Sequence, residues 1–172
     1  MNTRNKKVFY ISIHAMGIAL CTVITLFIQI PLAGGAGYLN FSDAILLIFS
    51  ALFGPYSGMV VGGLGALAAD LLSGYVQYAP FSLVIKALEG LLVGYLLKKN
   101  KIPAILSFLC GGVLMALCYF IPDKIYFGIK TASYNLIWNG LQGITNAILA
   151  YLVYLSVQKI KKTKEKEEKE IS

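Results

Sequence analysis

Charge is scarce in this chain and histidine nearly absent: 13% of its 172 residues are Asp, Glu, Lys or Arg, and His14 is the single histidine. Soluble domains carry about 25% charged residues, so a water-facing surface cannot be built from this composition. One histidine excludes most histidine-based metal sites. The patterns GxxxxGK[ST], HExxH, CxxC and GxSxG do not occur, so the chain has no P-loop for ATP, no zincin helix and no serine-hydrolase elbow. Neither a cofactor nor a metal is expected. Obvious inverted repeats are missing too, which argues against a secondary transporter that rocks two repeats. The three cysteines, Cys21, Cys110 and Cys118, lack metal spacing and read as buried free thiols.

What is present is apolar. Hydrophobic residues make up 58% of the chain, and its mean hydropathy is +0.72. The fold class that follows is an all-α integral membrane protein, a bundle of six transmembrane helices at about 8–31, 41–54, 56–73, 81–98, 102–121 and 132–158. The first run, Val8 to Ile30, exceeds the ~7–15 residues of a signal-peptide core and reads as an uncleaved helix. Pro31 closes it, Gly54-Pro55 divides the second from the third, and Ile121 to Lys130 separates the fifth from the sixth. The second and third are short for spans of ~20 residues.

The net charge of +7 reflects topology rather than nucleic-acid binding. Arg4, Lys6, Lys7, Lys98, Lys99, Lys101, Lys159, Lys161, Lys162, Lys164, Lys166 and Lys169 are twelve of the 15 basic residues, and six spans place all of them on one side. Lys124 and Lys130 fall on the other. By the positive-inside rule, both termini are cytoplasmic and the protein is multi-pass in the cell membrane. Residues 1–158 form the membrane domain. Residues 159–172, which alternate Lys and Glu, form a charged cytoplasmic tail, either a solvated helical extension or a frayed end.

The polar groups inside the apolar segments carry the functional signal. Asn135, Asn139, Gln142 and Asn146 are spaced i, i+4, i+7, i+11, one stripe on a helix. Amides are costly in hydrocarbon unless partnered, so the stripe should face protein or a cavity. At least one of Asn135, Asn139 and Gln142 is expected to reach a pocket; interhelical glue is the alternative. Lys86 and Glu89 lie about 7 Å and about 12 Å along the fourth helix from its outer end. They either neutralise each other or contact ligand. Asp43 and Asp70, near helix ends, read as capping or interfacial groups rather than ligand contacts. His14 reads as a satisfied core histidine. Trp138 and the aromatics of the outer loops can form an interfacial belt or stack on a planar ring. Because these groups sit at similar depth, an outward-facing pocket for a small polar molecule is expected.

The segments Gly37-Tyr38-Leu39-Asn40-Phe41-Ser42-Asp43-Ala44-Ile45, Leu52-Phe53-Gly54-Pro55-Tyr56-Ser57-Gly58, Ala69-Asp70-Leu71-Leu72-Ser73-Gly74-Tyr75 and Lys86-Ala87-Leu88-Glu89-Gly90, in this order, resemble the substrate-binding (S) components of energy-coupling factor (ECF) vitamin transporters. Ala15 and Ala19 match that family's AxxxA docking signature. The resemblance covers about 8–155. It implies a six-helix bundle that captures a vitamin from outside and docks on a transmembrane coupling subunit driven by two cytosolic ATPases. By position, the first loop with Tyr38 to Asn40 would be the gate, loop 34–40 closing over bound ligand, and Glu89, Asn135, Trp138 and Asn139 would line the pocket. The chain is most similar to members assigned to hydroxymethylpyrimidine or pyridoxine uptake, with Glu89 pairing to a ring nitrogen or amine and Trp138 stacking. Two other classes compete: an intramembrane enzyme using Glu89, Lys86 and Asp70 for acid–base chemistry, and a self-sufficient carrier or channel.

Overall fold

A computed structural model of the chain describes residues 3–31 and 38–171. The glycine-rich stretch 34–37, expected to belong to a gate, lies outside the described residues. Five helices make up almost all of the rest: α1 (Thr3–Phe27), α2 (Ser42–Phe53), α3 (Pro55–Ser73), α4 (Ala79–Lys99) and α5 (Ala104–Ile171). α1, α3, α4 and α5 are long and apolar enough to cross a membrane, whereas α2 is a shorter apolar helix.

α1 stops four residues earlier than the sequence suggests. The residue before a proline is driven out of the helical region, and Ile30-Pro31 instead pairs antiparallel with Tyr38-Leu39 as a two-residue ribbon, β1 with β2. The ribbon fixes Tyr38 opposite Pro31, just past the end of α1. Between α2 and α3 the chain turns at Gly54, whose φ of 93° suits glycine alone among common residues, and Pro55 opens the next helix.

The expected loop at 121–130 is mostly helix. α5 runs through Pro122 and breaks only at Gly128 (φ 81°, ψ 172°), where the chain folds back. The two arms pack closely: a methyl group at Gly112 would lie 2.8 Å from the Cα of Gly143. Asn135 reaches back to Asp123 across the bend. The Lys/Glu segment after 158 continues the helix to Ile171.

The bundle is inverted relative to a water-soluble one. Large apolar side chains point outward, with Phe27 81% exposed and Ile11, Met16 and Leu72 each 70%, as lipid contact requires. Cys110 is exposed and Cys118 half-buried, so only Cys21 is the buried thiol expected. Inside, the residues divide by depth. Leu46, Leu47, Val61, Val93, Phe108 and Ala147 form a dry core, while the buried polar groups gather where α1 and α3 end and α2 and α4 begin.

Small residues bring α3 against α4. A methyl at Gly90 would overlap the Gly58 backbone, and one at Gly62 would lie 2.9 Å from the Lys86 carbonyl oxygen. Ser50 Oγ donates to the Gly90 carbonyl at 2.9 Å. Such spacing lets backbones approach without a side chain between them. Gly90→Ala should therefore destabilise the bundle by about 1–3 kcal/mol through overpacking. Gly140→Ala meets nothing within 4 Å and should be neutral or slightly stabilising. Melting temperatures of the two variants in detergent check this, with only Gly90→Ala expected to fall.

Candidate functional site

Lys86 is 3% exposed and sits in an apolar helix, so its ammonium must find anions. It finds two. Nζ lies 2.5 Å from Asp43 Oδ1 and 3.3 Å from Glu89 Oε2, and 5.4 Å above the ring of Tyr119. Lys86 and Glu89 thus neutralise each other, one of the two readings open in the sequence. Asp43 is the partner that the sequence reading placed at a helix end. It does occupy the first turn of α2, where the helix dipole favours a carboxylate, but it is fully buried.

The amide stripe locks this charge cluster to the second arm of α5. Gln142 Nε2 donates to Asp43 Oδ2 at 2.7 Å, and Gln142 Oε1 accepts the Asn40 backbone N–H at 3.0 Å. Asn146 Nδ2 donates to the Asn40 carbonyl at 3.0 Å, and its Oδ1 accepts the Ala44 N–H at 3.0 Å. Asn40 Oδ1 accepts from the Ser42 N–H at 3.0 Å and from Ser42 Oγ at 2.6 Å. The nominal cap of α2 is Phe41, which has no side-chain oxygen. Asn40 and the distant Asn146, 102 positions beyond Ala44, satisfy the helix N-terminus instead.

In front of this network lies a cavity with about 530 Å³ of space between atoms, part of it open to solvent. It is narrow: the centre of a water molecule can occupy only about 40 Å³ of it. Tyr38, Asn40, Lys86, Asn139 and Gln142 line it, together with Asp70, Asp123, Tyr119 and Ser82. Tyr38 donates its hydroxyl to Asp70 Oδ1 at 2.5 Å, and Tyr78 donates to Asp123 Oδ1 at 2.6 Å. Burial and the neighbouring carboxylates hold both phenols above their ordinary pKa, so they remain protonated donors. No side-chain hydrogen bond of Asn139 occurs among the described residues.

Three residues expected in the pocket lie elsewhere. Glu89 is fully buried behind Lys86. Asn135 is buried beside Asp123, to which its Nδ2 donates at 3.2 Å. Trp138 is half-buried and meets Tyr134 edge-on, with ring centres 6.1 Å apart. One residue along a helix is a rotation of about 100°, so proximity in sequence to Asn139 does not aim Trp138 inward. The aromatic wall comes from Tyr119, Tyr75 and Tyr78 instead. Asp70, expected as a cap, is 3% exposed and lines the cavity. Asp123 was hidden within an expected loop. His14 bonds the Tyr10 carbonyl and Ser57 Oγ and is satisfied as expected. Ala15 and Ala19 are exposed on α1, while Gly17 and Cys21 face the bundle.

Removing the lysine should be far worse than removing the acid behind it. Lys86→Met leaves Asp43 and Glu89 without a counter-charge and should cost about 3–5 kcal/mol. Glu89→Gln leaves the Lys86–Asp43 pair intact and should cost less. Melting curves of the two variants should rank them in that order, and a reversed order would contradict the central role of Lys86.

Comparison with known proteins gives a consistent result. The family profile for the "ECF-type riboflavin transporter, S component" matches residues 5–159. The thiamine precursor transporter HmpT of Lactococcus lactis is 31% identical over 147 residues, covering 85% of this chain and 86% of HmpT. A Pyrococcus woesei protein described only as an uncharacterized protein in a gap 3' region is 38% identical over 128 residues, 72% of this chain and 86% of its own. The crystal structure of the S-component for biotin from an ECF-type ABC transporter superposes with a TM-score of 0.67 at 20% identity, covering 94% of this chain and 95% of that one. At that identity the likeness shows a shared fold.

Proposed function

The chain belongs to the S components of ECF-type transporters, and from that premise we propose that it captures hydroxymethylpyrimidine or pyridoxine from outside the cell for ATP-driven uptake. It is a membrane-embedded transport subunit and not an enzyme. The observation that carries the ligand reading is the narrow polar cavity, walled by tyrosines and backed by the Lys86–Asp43–Glu89 charge cluster. Its small free volume suits one planar ring with hydroxymethyl or amino substituents. The 31% identity to HmpT, a thiamine precursor transporter, supports the same choice. Riboflavin, named by the family profile, is the second reading, and its three fused rings fit this space less well.

Counting the two arms of α5 separately gives six helices, which we read as the six spans. The cavity then opens at the end of the bundle opposite twelve of the 15 basic residues. Positive-inside orientation turns that end outward and both termini to the cytoplasm. Tyr38, Asn40, Asn139 and Gln142 would contact the ligand. Lys86 would present its polarised ammonium, held by Asp43 and Glu89. Asn135 and Trp138 would support the second arm from behind. The exposed Ala15 and Ala19 suit close docking on a transmembrane coupling subunit moved by two cytosolic ATPases.

Two measurements test this. Isothermal titration of the detergent-purified protein should show 1:1 binding of hydroxymethylpyrimidine or pyridoxine, and riboflavin should bind more weakly. Asn139→Ala should weaken that binding about tenfold, the worth of one lost hydrogen bond to ligand, with an unchanged melting temperature. Independently, replacing Ala15 and Ala19 together by leucine should abolish uptake by cells carrying the full transporter while binding to the purified subunit persists. Unchanged uptake would remove the docking role.

A further inference from the structure

Two groups on the cavity wall, the Thr25 hydroxyl and one oxygen of Asp70, have no hydrogen-bond partner among the described residues. Asp70 lies in the last turns of α3, 3% exposed. Its Oδ1 takes the Tyr38 hydroxyl, but Oδ2 is buried with no hydrogen bond. Ser82, which accepts from Tyr119 at 2.8 Å, lines the same cavity. Among the described residues no cation pairs with it directly: the Lys86 ammonium is ion-paired to Asp43 and Glu89. The other carboxylate on the wall, Asp123, is satisfied at both oxygens by Tyr78 and Asn135. The negative end of the α3 dipole adds to the local excess of negative potential. A buried carboxylate oxygen left unpaired is costly, and a ligand that supplies an N–H removes that cost.

We propose that Asp70 is a specificity-determining residue whose Oδ2 accepts an N–H from an amino-substituted, basic heteroaromatic ring. The inference rests on the vitamin-capture reading and narrows it. An aminopyrimidine presents an exocyclic amine beside a ring nitrogen, so a carboxylate can pair with both the amine and a protonated ring. Pyridoxine carries no amine, and acidic vitamins would place a second anion beside Asp70. The site therefore selects the aminopyrimidine. Tyr38 fixes the carboxylate from one side, and its ring meets Tyr75 edge-on with centres 4.9 Å apart. The ligand ring can lie along this aromatic edge.

The test is a two-by-two titration of the full chain in detergent. The ligands are hydroxymethylpyrimidine and the analogue with hydrogen in place of the amine, with pyridoxine as a third ligand for the unaltered chain; the proteins are the unaltered chain and Asp70→Asn, which keeps an acceptor for Tyr38. The unaltered protein should lose about 30-fold in affinity when the amine is removed, the worth of a hydrogen bond to a charged group. Asp70→Asn should bind the two ligands within about threefold of each other. Equal binding of both ligands by the unaltered protein, or tighter binding of pyridoxine, would overturn the role of Asp70 and leave vitamin capture standing. The same holds if Asp70→Asn keeps the full preference for the amine. Failure of the unaltered protein to bind any of the three would overturn the capture reading and this inference with it. Should Asp70→Asn not fold, the ligand comparison on the unaltered protein still decides whether the amine is recognised.

Discussion

A lysine ammonium in the middle of an apolar helix must be neutralised, and much of the architecture follows from how Lys86 is. Its main partner, Asp43, belongs to another helix, so α2 has to begin where the ammonium of α4 can reach it. The same carboxylate takes the Gln142 amide from the second arm of α5. One buried charge thereby fixes three segments against each other at a common depth. Hydrophobic contacts alone would not select that register, because lipid tails compete equally well for apolar side chains. Directional groups that tolerate no substitute by lipid can select it.

Close packing makes the charge cluster possible. Gly62 lies against the Lys86 carbonyl, and Gly90 against Gly58, so the α3 and α4 backbones nearly touch. The buried Ser50 uses the same gap to bond the Gly90 carbonyl. The bundle therefore has two regions with different physics. The core around Leu47, Val61 and Phe108 is dry and shape-determined. The region around Lys86 is polar and determined by hydrogen-bond satisfaction. The two meet along α2, whose apolar side chains fill the core while its N-terminus enters the polar network.

The parts legible in the sequence are those where one periodicity dominates. The amide spacing of Asn135, Asn139, Gln142 and Asn146 places them on one face, and all four are buried. The segment boundaries at Gly54-Pro55 and near Lys99 follow local backbone chemistry and agree with the helices within a few residues. What escaped was set by tertiary context. Pro122 looks like a terminator, yet the helix accommodates it and turns at Gly128. Asp43 and Asp70 look like caps by position. Whether a carboxylate one turn from a helix end faces water, lipid or a cavity depends on the neighbouring helices, and Tyr38 and Lys86 draw these two inward. Trp138 shows the converse error, an attractive side chain on a face one residue away from the useful one.

The polar region is graded in a way that separates stability from recognition. At the back, Asp43, Gln142 and Asn146 are engaged by protein on every side described, and the α2 N-terminus depends on them. At the wall, the Thr25 hydroxyl and one oxygen of Asp70 lack such bonds among the described residues. A fully satisfied network is rigid and has nothing left to offer a ligand, whereas a wholly unsatisfied one could not stay buried. Placing Asp43 and Asn146 behind the wall meets both requirements in a bundle with few polar residues, with Glu89 Oε1 the exception at the back. Much of the free energy that holds the pocket together then comes from groups such as Asp43 and Asn146, which lie behind the wall. The remaining unmet acceptors can be tuned to a ligand without reorganising the helices that present them.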